Sequence, residues 1–381
     1  MDRKHFDDDQ LAFADAFRAF ADKQLVPHHL EWERAGITPR EVFTEAGRSG
    51  FLGMAIPEQY GGGGVDDFRF NQAIDEQIAI SGIGGAGLGL SLHNDICLPY
   101  FLSYCTDEQK RRWLPGIASG ELITAVAMTE PGAGSDLAGI RTSAKRDGDG
   151  YVVSGSKTFI TNGVNADLVI TAVRTGEDRH NGVSLLILER GMDGFERGRN
   201  LDKLGLHSQD TAELSFADVR VPVENLLGEE GAGFAQLTGK LPQERISIAI
   251  SGLAEARAAF DETLRYVNER KAFGTTLGSF QNTKFVLAEM ITEIDVAQAF
   301  VDRCVDRLNS GELGPSDAAK AKWWCTELQG RVIDKCLQLH GGYGYMSEYP
   351  ISRRYADARI TRIYGGTTEI MKTVVSKSIG L

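Results

Sequence analysis

Between residues 283 and 311 apolar side chains recur every three or four positions: Leu287, Met290, Ile294, Ala297, Val301, Cys304 and Leu308. That alternation predicts one long helix whose seam packs nearly antiparallel to a neighbour, ended by Asn309-Ser310-Gly311. Pro315-Ser316-Asp317 predicts the start of another, which carries Ala321, Cys325, Leu328, Val332, Cys336 and Leu339 up to an HGGYGY turn. From about residue 229 onward the chain therefore reads as a helical bundle.

The texture differs from about residue 124, where YVVSG, KTFIT, DLVITAV, VSLLILE and AELSFADVRV are separated by Gly, Asp and Asn turns. The spacing predicts a compact antiparallel barrel or sandwich, because no helical period intervenes to argue for a parallel sheet. The first third reads helical. Thr38-Pro39-Arg40-Glu41 and Thr106-Asp107-Glu108-Gln109 both have the form of a capping box, and PEQYGGGG (57–64) reads as a flexible connection. These changes divide the chain into units at 1–123, 124–228 and 229–381.

Composition narrows the function classes. With 42% hydrophobic and 25% charged residues in 381, disorder is not expected. A formal charge of −12, from 53 acids against 41 bases, disfavours nucleic acid as a partner. No apolar run reaches the ~20 residues that span a bilayer and MDRKHFDDDQ has no secretory apolar region, so a cytoplasmic protein without a membrane span is expected. Cys97, Cys105, Cys304, Cys325 and Cys336 lack metal-type spacing, so buried thiols and no metal site are expected.

Two glycine-rich segments offer chemistry. SGIGGAG holds a formal G-x-G-x-x-G at Gly82, Gly84 and Gly87, but NQAIDEQIAI before it reads as helix where a dinucleotide fingerprint needs a strand. Close helix or ligand approach is the better reading of those small residues. AMTEPGAGSDLAG (127–139) joins a strand end to Pro131, Gly132, Gly134, Ser135 and Asp136. It is either a loop that offers amides and hydroxyls to a planar or phosphorylated ligand, or a plain tight turn.

AMTEPGAGSDLAG and QLHGGYGYMSEYPISRRYAD (338–357) resemble, position by position, the two signatures of the acyl-CoA dehydrogenase family. PEQYGG, SGSKTFITNG, NERKAFG with FQ after it, and IYGGTTEI also resemble family segments in the expected order. The resemblance implies a helical N-terminal domain, a β-barrel middle domain and a C-terminal four-helix bundle, an α+β multidomain fold. It implies FAD, an acyl-CoA substrate, an electron-transfer flavoprotein as redox partner and a homotetramer. Carried over by position, Met128, Thr129, Gly134 and Ser135 with Phe159, Ile160 and Thr161 would surround the flavin ring. Arg270, Phe273 and Gln281 from a neighbouring subunit, with Gln338, Leu339, Gly341 and Gly342, would meet its pyrophosphate and adenosine, and Thr367 and Glu369 complete the set.

The implied reaction removes a Cα proton from an acyl thioester while hydride leaves Cβ, so a carboxylate is required opposite the flavin. In many family members it lies between the Tyr and Gly of the late turn, where this chain has Gly365. Glu244 in GKLPQERISIAI matches a second base position, that of the long-chain and isovaleryl branches. Read without the family, Glu244 is a first-turn acid of a helix opened by Pro242, favoured there by the helix dipole. Glycine where one base is missing and glutamate where the other belongs favours Glu244 as the base, with Gly365 leaving room for it and keeping an N–H for the thioester oxygen. Ser135, Arg245 and Tyr364 are expected at the substrate. A medium-to-long or branched acyl-CoA is the expected substrate; a carrier-tethered acyl group, an oxidase and a silent flavoprotein are the other readings.

Overall fold

The structure is a computed structural model that describes residues 3–381. The N-terminal part is helical: α1 (Asp8–Gln24), α2 (His29–Ala35), α3 (Glu41–Arg48), α4 (Arg69–Ser81), α5 (Gly84–Ser91), α6 (Leu98–Tyr104) and α7 (Asp107–Ser119). A π-helical turn, Leu92–Cys97, joins α5 to α6. The capping box at Thr106 forms, with the Thr106 amide donating to Gln109 Oε1 at 2.8 Å. The one expected at Thr38 does not: its hydroxyl donates to the Ser208 carbonyl, and α3 starts at Glu41 without a side-chain cap. A cross-domain acceptor outcompetes the local one. Pro57–Gly64 is not the loose connection expected from its glycines. It contains a 3-10 turn, Glu58–Tyr60, and Gly62 lies so close to Ile56 that a Cβ would collide with it.

The glycines of SGIGGAG serve helix contact. Gly82 caps α4 in the left-handed region at φ 68°, and a Cβ on Gly87 would strike Ile78 of α4. Among the described residues no strand precedes them.

The middle part is one curled seven-stranded sheet: β1 (Thr124–Ala127), β2 (Ser143–Asp147), β3 (Gly150–Thr161), β4 (Leu168–Arg174), β5 (Val183–Glu189), β6 (Phe195–Asn200) and β7 (Thr211–Pro222), in the order β1-β4-β2-β3-β7-β6 with β5 also on β4. The expectation of a wholly antiparallel sheet fails at β1, which pairs parallel with β4 from Thr124↔Leu168 to Ala127↔Thr171. A parallel neighbour needs only a long crossover, and the segment through β2 and β3 supplies it without an α-helix. YVVSG and KTFIT are one strand, β3, whose register shifts between Val153 and Gly155 and between Lys157 and Ile160. β4 and β5 are buried on both faces, which is why they read as continuous apolar runs. One face meets Phe101, Trp113 and Ile117 of the helical part; the other meets Val153, Leu214 and Val221 inside the curl.

The C-terminal part holds α8 (Gly233–Glu269), a small hairpin β8 (Lys271–Ala272) and β9 (Thr275–Thr276), α9 (Gln281–Asn309), α10 (Pro315–His340), α11 (Pro350–Ala358) and α12 (Thr368–Ser378). Met290, Ile294, Val301, Cys325, Leu328 and Val332 are completely buried between α8, α9 and α10, as the period requires. All five cysteines are free and buried.

Candidate active site

Helix α8 carries the first element of the site and corrects the reading of its sequence. It starts at Gly233, so Pro242 lies inside it and Glu244 is not in a first turn. Pro242 has no N–H for the Thr238 carbonyl, and the Thr238 hydroxyl bonds back to the Phe234 and Ala235 carbonyls at 2.9 and 3.1 Å. The helix passes through the proline because tertiary packing holds both sides of it. No helix N-terminus therefore acts on Glu244. Its side chain is buried, and Oε1 accepts a hydrogen bond from the Tyr100 hydroxyl at 2.7 Å. Burial raises its pKa to about 7, against the opposing pull of the Tyr100 hydrogen bond and the Arg245 charge.

Glu244 opens onto a cavity of about 700 Å³ between α8, the sheet and the late turn. Met128, Thr129, Gly134, Ser135, Phe159, Ile160 and Thr161 line its sheet side, and Glu244, Arg245, Tyr364 and Gly365 line its helical side. The two sequence-distant sets expected at one reaction centre thus share one space.

The sheet wall is held by a buried ion pair. Lys157 Nζ lies 2.8 Å from Glu130 Oε1 and donates to the Met128 carbonyl at 3.1 Å, while Glu130 accepts the amides of Arg141 and Thr142. Burial lowers the Lys157 pKa to about 8, and Glu130 raises it in part. The Thr158 amide donates to the Thr129 carbonyl at 2.9 Å, which joins the two loop segments. Next to it Phe159 sits at φ 60° with 68% of its surface exposed, and a Cβ on Gly134 would meet nothing within 4 Å. An exposed aromatic ring in a strained backbone beside an open glycine fits a wall that a flat ring system covers. This donor set fits a flavin.

At the late turn Gly365 and Gly366 have φ of 63° and 97°, a region that side chains with a Cβ enter at a cost. Lys322, completely buried in α10, donates to the Gly366 carbonyl at 2.6 Å, and Thr367 caps α12. The room expected at Gly365 is taken: a Cβ there would collide with Ile248 Cδ1 from the next turn of α8. Arg245 is buried beside this turn, with Nε enclosed and without a hydrogen-bond partner. An unpartnered guanidinium on a cavity wall is suited to an acceptor-rich ligand.

The remaining expected residues lie elsewhere. Arg270 covers the Tyr343 ring at 5.2 Å, and Tyr266 stacks on His340 at 4.2 Å, which gathers the ends of α8 and α10. Gln338, Gly341 and Gly342 are exposed there, Leu339 is half-buried, Gln281 is exposed at the start of α9, and Phe273 is 97% exposed. Thr367 and Glu369 open α12 behind the late turn. None of these nine lines the cavity. Sequence reasoning missed Tyr100 and the Glu130–Lys157 pair. For Lys157 a signal existed, a lysine inside an otherwise apolar and hydroxyl-bearing strand; for Tyr100 in LPYFLSYC there was none.

Comparison with known proteins extends the likeness to the full chain. The acyl-CoA dehydrogenase N-terminal domain family matches residues 7–121, the middle domain family 125–219 and the C-terminal domain family 231–380. The mitochondrial long-chain specific acyl-CoA dehydrogenase of Mus musculus is 47% identical over 380 residues, 99% of this chain and 88% of that protein. The crystal structure of acyl-CoA dehydrogenase from Geobacillus kaustophilus superposes with a TM-score of 0.97 at 48% identity, covering 100% of both chains. A glutaryl-CoA dehydrogenase from Mycobacterium smegmatis, solved in complex with FADH2, superposes with a TM-score of 0.92 at 27% identity over 99% of this chain and 96% of that one. Among the described residues no helix is long and apolar enough to cross a membrane, and no metal-type cluster occurs. The chain belongs to the acyl-CoA dehydrogenase family and is an FAD-dependent oxidoreductase.

Proposed function

We propose that this enzyme converts medium-to-long or branched acyl-CoA thioesters to trans-2-enoyl-CoA, with Glu244 as the base that takes the α-proton. The observation that carries the reading is the Glu244 carboxyl itself, buried on the cavity wall with a pKa of about 7, where a base is half-prepared at neutral pH. The hydride acceptor for Cβ would be supplied by bound FAD. Met128, Thr129, Gly134, Ser135, Phe159, Ile160 and Thr161 would hold its ring on the sheet side of the cavity, which would confine the acyl chain between that wall and Glu244. The Gly365 amide donates to the thioester oxygen as enolate charge develops, which acidifies the Cα–H. Arg245 holds an acceptor on the CoA side, and Ser135 and Tyr364 border the thioester.

Arg270, Phe273, Gln281, Gln338, Leu339, Gly341, Gly342, Thr367 and Glu369 hold the pyrophosphate and adenosine across a subunit boundary of a homotetramer. The bare Phe273 ring supports this, since a second copy would cover it. Electrons leave to an electron-transfer flavoprotein in the cytoplasm. Anaerobic mixing with acyl-CoAs graded in length and branching bleaches the bound flavin. Glu244→Gln keeps the flavin and loses at least ~10³ in reduction rate; an unchanged rate removes Glu244 from the reaction.

A further inference from the structure

Tyr100 belongs to neither wall of the cavity, yet it makes the only hydrogen bond that the Glu244 carboxyl accepts among the described residues. The tyrosine is completely buried in α6, and its hydroxyl has no other acceptor among the described residues. Oε1 of Glu244 is thereby engaged by a residue outside the cavity lining, and Oε2 accepts no hydrogen bond from a described residue. Rotation of a carboxylate about its last bond is otherwise broad and nearly two-fold. A phenol held rigidly by packing removes that freedom. The π-helical turn before α6 contributes: one extra residue in a turn rotates the downstream helix by roughly 100°, and Tyr100 lies directly beyond that turn.

We propose that Tyr100 is the positioning residue of the base: its hydroxyl holds Oε1 of Glu244, so that Oε2 faces the substrate's α-carbon. The inference rests on Glu244 as the base. A misdirected carboxylate loses the near-attack geometry on which proton transfer depends. The same hydrogen bond favours the ionised form, which burial disfavours. The other groups acting on Glu244 are the Arg245 guanidinium, which favours ionisation, and the Cys97 thiol of the π-helical turn, which is buried and neutral.

The test follows flavin bleaching of the holoenzyme from about pH 5.5 to about pH 9, with one acyl-CoA that reduces the parent protein. Tyr100→Phe shifts the apparent pKa of the base upward from about 7 by about one unit and lowers the plateau rate several-fold at unchanged substrate affinity. Site-specific 3-fluorotyrosine at position 100, a stronger donor of nearly the same shape, shifts it downward and carries the test if the phenylalanine variant does not retain flavin. A profile that superposes on the parent's in the fluorotyrosine protein overturns the inference, as does one in a flavin-loaded Tyr100→Phe. Glu244→Gln in the same series separates the two ideas. Its loss of rate with unshifted tyrosine variants sinks only the role of Tyr100; its retention of rate sinks the base.

Discussion

The side chain of Ile248 fills the space that a Cβ on Gly365 would enter, so the late turn and the helix that carries Glu244 share one fitted surface. Gly365 is thus small for a reason beyond its φ of 63°. A carboxylate carried by the late turn would have to displace the Ile248 side chain, whereas the Glu244 carboxyl on α8 already lines the cavity.

The first prediction concerns relocation of the base. Gly365→Glu combined with Glu244→Gln stays within about tenfold of Glu244→Gln alone in flavin bleaching, because Ile248 and the left-handed backbone oppose the new side chain. Adding Ile248→Ala opens the space and recovers at least about tenfold in rate. Recovery before the Ile248 change would remove steric exclusion from the account.

The second prediction links catalysis to stability. Glu244 is raised from an ordinary 4.5 to about 7 in the folded protein. A carboxyl shifted upward is most favourable below its unfolded pKa, and its contribution is lost as pH rises from about 4.5 through about 7. Above that window its ionisation costs at most on the order of 3 kcal/mol. Glu244→Gln therefore raises the thermal midpoint of the apoprotein at pH near 8 by several degrees, and hardly at pH near 5. Equal gains at both pH values would show that the carboxyl is not strained by burial.

Glu244 also shows how far the sequence was legible. The period of 3 and 4 in α9 and α10 located the bundle, because their buried faces are purely apolar. The start of α8 was not legible, since Pro242 carries the local signal of a helix start, and only the burial of Gln236 and Leu237 before it and of Glu244 and Arg245 after it overrides that signal. The parallel β1–β4 pair was hidden because a crossover made of strands leaves no helical period. Of the site, the glycine-rich loop stands out locally, whereas Glu244 is singled out only by the family resemblance, paired with glycine at 365. Tyr100 becomes functional only through a contact with a residue 144 positions away, which no spacing along the chain records.

The third prediction tests the sheet wall. Lys157→Met leaves Glu130 buried without its cation and frees the Met128 carbonyl. Breaking a buried pair from one side costs about 3–5 kcal/mol. The purified variant loses flavin on gel filtration and unfolds at lower urea than the parent. Lys157→Met combined with Glu130→Gln recovers more than half of the lost stability; no recovery would mean that Lys157 acts through packing alone.

The fourth concerns two carboxyls behind the cavity. Asp75 of α4 and Asp95 of the π-helical turn are buried and hydrogen-bonded to each other. Burial raises both, Asp95 to about 6 and Asp75 well above its ordinary value, with the Asp95 charge adding to the second. The two carboxyls titrate as a pair, and desolvation with the Asp95 charge favours the proton on Asp75. Its stabilising contribution is complete below the unfolded carboxyl pKa and is lost as pH rises through about 6 and beyond. Asp75→Asn copies the protonated state: its oxygen keeps the Ser91 hydroxyl at 2.5 Å and its amide donates to Asp95. Asp95→Asn instead turns an amide against Asn71 Nδ2 or the Ser247 hydroxyl, which approach Asp95 at 2.6 and 2.7 Å. Urea midpoints of the holoenzyme at pH near 5 and near 8 separate the two. Asp75→Asn stays close to the parent and flattens the pH dependence, whereas Asp95→Asn loses about 1–3 kcal/mol at both. The reverse order would place the proton on Asp95.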